Sequence, residues 1–205
     1  MVSQYAFFVN SDACSGCKTC QVACNDKNNV YVGQHWRRVY EVTAGSWQKK
    51  EGAWVTTVVA YNLSVACVHC LDPICLTTCP SQVIWKRDDG IVLIDDSRCS
   101  RCRRCESACP YNAIRYDPTS DSLRKCDFCV DYIDSGLPPV CVSACPNRAL
   151  DFGDYDELRK KYGDVSRVFP LPDPAVAGPA LIIRPHRNAA LAMSRDPEVA
   201  NWGEL

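Results

Sequence analysis

Short apolar runs separated by turn-forming residues run along most of the chain. β-Branched and aromatic residues are concentrated in segments 1–9, 34–43 and 53–63, which predicts strands there. The second and third segments flank a polar loop with Gly45 and Gly52, so they predict a β-hairpin. Apolar runs at 83–86 and 91–94 enclose Asp89-Gly90, a strong hairpin signal, and another turn is predicted at 118–121. The pattern therefore predicts an α+β fold made of short hairpins.

The last quarter of the chain has a different pattern. Residues 154–163 predict a short exposed helix that is acidic at its start, basic at its end and closed by Gly163. The prolines that follow, up to Pro185, predict an extended tail over the remainder of 154–205. Composition leaves two interpretations of this tail open: a loosely ordered segment, or one that wraps a partner subunit.

Composition changes the picture because the 205 residues include sixteen cysteines. These fall into four groups, and the group at Cys99–Pro110 reads C-x2-C-x2-C-x3-C-P, the spacing with which bacterial ferredoxins hold 4Fe-4S clusters. The other groups vary it: the first lacks the proline, the second has a longer middle gap, and the last contains an inserted loop. In chain order the groups are Cys14, Cys17, Cys20 and Cys24; Cys67, Cys70, Cys75 and Cys79; Cys99, Cys102, Cys105 and Cys109; and Cys126, Cys129, Cys141 and Cys145.

Three groups also continue alike beyond their last cysteine. Segments 79–84, 109–114 and 145–150 all read C-P-x-x-small-aliphatic. A repeat of this kind indicates one supersecondary unit used several times, here a cluster loop, a helical turn and a strand.

Disulfides and zinc are the competing uses of so many thiols. Tight C-x2-C-x2-C repeats are poorly suited to a full set of disulfides. Zinc sites combine separated C-x2-C pairs but give no reason for a third cysteine two residues on, or for the proline. The spacing therefore favours four 4Fe-4S clusters with no cysteine left over.

In ferredoxins the fourth cysteine of each group binds the other cluster of the pair. Applied here, this rule predicts an inner ferredoxin-like unit at 65–120 and an outer unit made of 1–33 and 121–153, with the hairpin 34–64 inserted between them. The predicted ligand sets are Cys67, Cys70, Cys75 and Cys109; Cys99, Cys102, Cys105 and Cys79; Cys14, Cys17, Cys20 and Cys145; and Cys126, Cys129, Cys141 and Cys24.

Other residues carry weaker signals. We expect Trp36, Trp47 and Trp54 to pack against the cluster units, the alternative being a partner-facing aromatic patch. His69, between two cysteines, is expected to be a hydrogen-bonding or surface residue rather than a ligand. Basic residues crowd the third group: Arg98, Arg101, Arg103 and Arg104. Three interpretations stay open: they raise the reduction potential of that cluster, they form a solvated loop, or they form a docking patch for a partner or for anionic lipid headgroups.

Several function classes are disfavoured. The net charge of −1 gives no field for nucleic acid, and there is no nucleotide-binding glycine motif or nucleophile–base pair, so we expect no catalytic residues. The first residues lack the basic region of a signal peptide, and no apolar run reaches membrane-spanning length. If the protein works at a membrane, another subunit must hold it there.

Strings outside the cysteines make the chain resemble the four-cluster electron-transfer subunit of the dimethyl sulfoxide reductase type. They lie at 4–9, 17–20, 37–41, 149–153, 156–164 and 170–172. Two departures stand out: Arg101 replaces a common glycine, and Cys102 is retained where nitrate reductase relatives lose it and hold a 3Fe-4S cluster. The retained cysteine favours four cubane clusters.

The resemblance implies a non-catalytic subunit in a ternary complex. It would connect a catalytic subunit carrying a molybdenum or tungsten bis-pterin cofactor to an integral-membrane anchor that oxidises quinol. It would be peripheral, attached to the membrane through its partners, on the periplasmic face after co-export with a twin-arginine-bearing partner or on the cytoplasmic face. A free-standing polyferredoxin, or a redox adaptor for a hydrogenase or formate dehydrogenase, is the alternative.

Overall fold

A computed structural model describes residues 3–205 as a succession of short strands and helices. The strands are β1 (Tyr5–Asn10), β2 (Arg38–Ala44), β3 (Trp47–Lys50), β4 (Ala53–Thr56), β5 (Val59–Val65), β6 (Ile84–Lys86), β7 (Val92–Ile94), β8 (Arg115–Asp117), β9 (Ser122–Arg124), β10 (Leu150–Asp154), β11 (Leu181–Arg184) and β12 (Glu198–Val199). The helices are α1 (Thr19–Asn28), α2 (Ile74–Thr78), α3 (Arg104–Ala108), α4 (Val130–Asp134), α5 (Val140–Ser143), α6 (Tyr155–Tyr162) and α7 (Ala189–Met193). Within residues 3–205, none of the helices has the length and apolar character needed to cross a bilayer.

Strand β1 lies at the centre of a three-stranded sheet ordered β10-β1-β11. Its predicted range was 1–9, of which Met1 and Val2 lie outside the described residues. Alternate side chains point to opposite faces of a strand. Phe7 and Val9 accordingly join the main core, whereas Ala6 and Phe8 pack against α6. Both faces of β1 are therefore covered.

The predicted hairpin between the first two cysteine groups is present, in two parts. Strands β2 and β5 pair antiparallel and carry buried side chains, and β3 pairs with β4 beyond them to form the tip. Trp36 is buried, as expected, but Trp47 and Trp54 are 62% and 67% exposed, so the packing prediction is wrong for these two. The reason is that every residue of β3 and β4 lies beyond the core.

Two further hairpins confirm the turn predictions. Strand β6 pairs with β7 around the turn at Gly90, and β8 pairs with β9 around 118–121. Their inward side chains form a small core of their own: Val83, Ile84, Val92, Ile114 and Leu123.

The turn needs glycine at position 90 for two reasons: its backbone conformation and the lack of space for a Cβ. We therefore expect replacement by alanine to destabilise the fold. Its φ is +83°, and an added Cβ would lie 2.3 Å from the side chain of the buried Gln4. We expect Gly90→Ala to lower the free energy of unfolding by about 1–3 kcal/mol, measured by denaturant titration. Gly52→Ala is the control, since Gly52 has nearly the same φ (+84°) but nothing within 4 Å. Equal losses would contradict a role for the Gln4 contact.

The predicted helix after Asp154 is confirmed as α6. The Asp154 side chain accepts hydrogen bonds from the N–H groups of Asp156 and Glu157, and Gly163 follows the last turn. After α6, two segments of the tail pair with strands of the body, which disfavours a loosely ordered tail; a tail that also wraps a partner subunit stays a prediction. Strand β11 pairs parallel with β1, and β12 pairs with β2. Proline-rich composition hid a short aliphatic strand that completes the central sheet.

Candidate iron–sulfur sites

Two cavities are each lined by four cysteines. The first is site 1 and includes Cys14, Cys17, Cys20 and Cys145. The second is site 3 and includes Cys67, Cys70, Cys75 and Cys109. In both, the first three cysteines of one group and the last cysteine of another line the same cavity; the full ligand sets stay a prediction.

The remaining thiols form two further groups. Site 2 comprises Cys24, Cys126, Cys129 and Cys141, all buried. Burial raises the pKa of Cys24 to about 12, and the thiols of Cys141 and Cys129 contribute to the increase. Site 4 is the predicted set of Cys79, Cys99, Cys102 and Cys105. Burial raises the pKa of Cys105 to about 11, with contributions from Cys79 and Cys99, whereas Cys102 is exposed in the middle of the loop between Cys99 and Cys105.

Electrostatic contacts between thiols link the sites in the order 1, 2, 3 and 4. Site 1 adjoins site 2, because Cys141 is among the thiols that raise the pKa of Cys20 after burial itself. Site 2 adjoins site 3, because Cys67 acts in the same way on Cys126. Site 3 adjoins site 4, because burial and then neighbouring thiols, Cys105 among them, raise the pKa of Cys75 to about 12. The exposed thiols, Cys17 and Cys102, lie in the two end sites.

Short helices explain why each cysteine group contributes to two sites. Side chains four residues apart lie on the same face of a helix, one turn apart. On α1, this places Cys20 in site 1 and Cys24 in site 2, and both are buried. The same spacing links Cys141 of α5 to Cys145, and Cys105 of α3 to Cys109. One turn of helix therefore spans from one site to the next.

Backbone N–H groups point at the thiols. The residue before the second cysteine of each group has a left-handed backbone, whether it is Gly16, His69, Arg101 or Phe128. The N–H groups of Arg101 and Phe128 donate to Cys99 and Cys126 Sγ at 3.4 Å. Arg101 thus adopts the backbone conformation that glycine commonly supplies, at a cost of about 1–2 kcal/mol.

The C-P-x-x-small-aliphatic repeat also supplies backbone N–H groups that donate to cysteine sulfur. The N–H groups of the small residues Ala113 and Ala149 donate to Cys109 and Cys145 Sγ, at 3.4 and 3.3 Å. Hydrogen bonds of this kind favour the thiolate over the thiol.

These thiols fit a positively charged metal cluster. The pKa of the Cys14 thiol is raised to about 11. Burial is the main cause, the neighbouring thiols of Cys20 and Cys145 add to it, and a hydrogen bond from a backbone N–H acts in the opposite direction. Burial and neighbouring thiols likewise raise the pKa of Cys70. Four crowded thiolates repel one another, whereas coordination to metal deprotonates a thiol outright.

The thiols are not paired with one another. All sixteen cysteines are free thiols. Within the described 3–205 range, no three His, Cys, Asp or Glu side chains converge on one point. At sites 1 and 3 the four thiols line a cavity.

The other candidate residues divide into several cases. His69 is fully buried, and its Nδ1 accepts a hydrogen bond from Val92 N–H at 3.0 Å, which confirms a hydrogen-bonding role and excludes the surface one.

Three of the arginines near site 4 form ion pairs with carboxylates; the pairs are Arg98–Asp95, Arg101–Asp121 and Arg103–Glu106. Because these pairs offset the arginine charge, the solvated-loop interpretation gains support.

Cysteine spacing gave no signal for the buried polar residues around the sites. Ser64 Oγ lies 3.3 Å from Cys20 Sγ, and Arg37 Nη1 donates to the same Ser64 hydroxyl at 3.2 Å. Lys125 lines site 3 and donates to backbone carbonyls, including that of Cys126 at 2.9 Å. A charged residue at the start of an otherwise apolar strand, as with Arg37 before β2, is the pattern that could have indicated them.

Comparisons with known proteins agree with this geometry. Residues 58–155 match the model of a 4Fe-4S dicluster domain, and residues 11–31 match a 4Fe-4S binding domain. The protein is 47% identical to one polypeptide of the anaerobic dimethyl sulfoxide reductase of Escherichia coli (strain K12), over 92% of each. It is 42% identical to the corresponding polypeptide of Haemophilus influenzae, over 93% of this protein and 94% of the relative. The thiosulfate reductase electron transfer subunit of Salmonella typhi is 34% identical over 77% of this protein and 79% of its own length.

The thiol sites and the matching domain models together define an iron–sulfur protein with ferredoxin-like 4Fe-4S domains. Within that class, the protein is a member of the family of iron–sulfur electron-transfer subunits of dimethyl sulfoxide reductases.

Proposed function

We propose that this protein relays electrons through four 4Fe-4S clusters, between a quinol-oxidising membrane anchor subunit and a molybdenum or tungsten bis-pterin catalytic subunit. The observation that carries the proposal is the row of four thiol sites, whose exposed cysteines, Cys17 and Cys102, lie at opposite ends. A catalyst would gather its groups around one pocket, whereas a row with two accessible ends suits transport over distance.

In this proposal each of sites 1 to 4 holds one cluster through its four thiolates. A bound cluster accepts and releases one electron at a time. Residues of this chain would stabilise the charge of the cluster in three ways. The thiolates would bind its iron, N–H groups such as those of Arg101 and Ala149 donate hydrogen bonds to cysteine sulfur, and the burial of site 2 excludes water. Sites 3 and 4 form the inner ferredoxin-like unit at 65–120, and sites 1 and 2 form the outer unit.

Partner roles are proposed from the relatives. The similar proteins are parts of dimethyl sulfoxide, tetrathionate and thiosulfate reductases. We infer that the outer unit faces the catalytic subunit and that the inner unit faces the anchor, which keeps the protein peripheral at the membrane. Similarity over 92% of the chain favours a dimethyl sulfoxide-type complex.

The test is purification of the native complex under anaerobic conditions. We expect a large molybdopterin subunit and an integral-membrane subunit to copurify, with about four irons per cysteine tetrad. Zinc in place of iron would overturn the cluster assignment. Full iron without any partner would favour a free-standing polyferredoxin.

Site 4 supplies a further prediction, because its proposed set of four thiols includes Cys102. We expect a full cubane cluster there, with no 3Fe-4S signal in the native protein. Redox titration followed by electron paramagnetic resonance tests this. A 3Fe-4S signal in protein prepared without oxygen would show that Cys102 does not bind iron.

A further inference from the structure

Arg37 is a fully buried cation between sites 1 and 2. Its side chain is 1% exposed and lies directly before strand β2. On one side, Nη1 donates to Ser64, whose hydroxyl contacts Cys20 Sγ of site 1. On the other side, the guanidinium lies 4.5 Å from the centre of the Phe7 ring, and that ring stacks on Phe128 at 4.2 Å. Phe128 N–H in turn donates to a thiol of site 2, Cys126.

The hydrogen bonding of this guanidinium is incomplete. Its one hydrogen-bond partner among residues 3–205 is the Ser64 hydroxyl, not a carboxylate, and its Nε and Nη2 atoms are buried without a partner. Buried polar groups nearly always have hydrogen-bond partners, and buried charges are normally paired. The arginines near site 4 show the ordinary alternative, since they lie at the surface beside carboxylates. Arg37 therefore lacks a negatively charged partner.

The surrounding charges identify where that partner would be. Burial alone would lower the pKa of Arg37, yet the pKa is raised overall by four thiolates: Cys141, Cys20, Cys126 and Cys24. One of these belongs to site 1 and three to site 2. The guanidinium therefore remains protonated and is influenced by both sites.

We propose that Arg37 is the shared counter-charge of sites 1 and 2, donating through Nε and Nη2 to the sulfur-rich anions bound there and raising the reduction potential of both. The inference rests on the proposed occupancy of these sites by 4Fe-4S clusters. The core of such a cluster is positively charged, but its four thiolates make the whole an anion, and each one-electron reduction adds one further negative charge without a proton. A fixed guanidinium in a low-dielectric interior favours the reduced form at either site. Arg37 would thus hold the potentials of the two neighbouring sites together.

The test compares Arg37→Gln and Arg37→Lys with the unmodified protein, in the intact complex, by redox titration followed by paramagnetic resonance. Cys20→Ser and Cys141→Ser identify the signals of sites 1 and 2 by their loss. We expect Arg37→Gln to lower the equilibrium constant for reduction at both sites by at least about tenfold, equivalent to about 59 mV for a one-electron couple. Arg37→Lys keeps the charge and should give a smaller decrease.

Arg38→Gln is the matched control. Arg38 is also 1% exposed, but its Nη2 donates to the Tyr111 carbonyl at 2.6 Å, on the side of site 3. The Arg38→Gln substitution removes an equally buried charge and should leave the reduction potentials of sites 1 and 2 unchanged.

Iron content distinguishes failure of this inference from failure of the proposed function. Normal iron content with unshifted potentials in Arg37→Gln would overturn the role of Arg37 but leave the cluster assignment in place. If Arg38→Gln shifted the potentials of sites 1 and 2 as much as Arg37→Gln, the role of Arg37 would also be overturned. If Arg37→Gln loses iron, loss confined to sites 1 and 2 and reversed in Arg37→Lys supports the counter-charge. Equal loss at all sites in all three variants would show a general packing role and overturn it.

Discussion

Cys141→Ser is expected to lose the cluster of site 2 and to cut quinol-driven substrate reduction by at least about a hundredfold, equivalent to about 2.7 kcal/mol of activation free energy. Cys141 is 3% exposed and lies in the second of four sites in a row. A serine hydroxyl is a much poorer ligand than a thiolate for the soft metal centres of such clusters. Because sites 1 and 3 lie on either side of site 2, electrons have no alternative route along the row.

The measurement compares two electron donors in separate assays: quinol, and a reduced viologen dye that delivers electrons directly to the catalytic subunit. Dye-driven turnover should persist, since it bypasses the row, while iron content falls by about a quarter. Ser143→Ala is the control, because Ser143 is an exposed residue of the same helix, α5. Retained quinol-driven turnover in a Cys141→Ser complex that has lost this iron would show that electrons do not pass through site 2.

The thiols that line sites 1 and 3 could be grouped from sequence because their cluster loops are local. Three cysteines within seven residues, as at Cys14–Cys20, meet through the loop alone, and the ferredoxin rule supplies the fourth. The hairpin at Gly90 and helix α6 were predicted for the same reason, since their signals lie within a few residues.

Features that depend on long-range packing were not predicted. Nothing local distinguishes buried Trp36 from exposed Trp54; the difference is the distance of each from the core along the hairpin. Arg37 is comparable, because its neighbours Cys141 and Cys126 lie about a hundred residues away and are brought together only by the fold. Strand β11 was not predicted, because composition reports prolines but not the partner of a strand.

Strand β11 of that tail gives the second large expected effect. Ile183 is 1% exposed, pairs with Val9 of β1, and its N–H donates to the Val165 carbonyl at 2.7 Å. Ile183→Asp would place a carboxylate in the main core without a partner. We expect the free energy of unfolding to fall by at least about 3 kcal/mol, measured by denaturant titration under anaerobic conditions.

The same variant should weaken site 1 before the other sites. Beyond β11, Arg187 donates three hydrogen bonds to the Asp12 carboxylate, at 3.2 Å from its backbone N–H and at 2.9 and 3.0 Å from its guanidinium, next to the loop that begins at Cys14. A displaced strand would release this brace, so iron should be lost from site 1 at lower denaturant than from site 3. Leu191→Asp makes the same kind of change at a position of the tail that is 40% exposed, and it should alter stability by less than about 1 kcal/mol. If the two variants were equally stable, β11 would not be a structural strand of the central sheet, and the tail would be free to engage a partner.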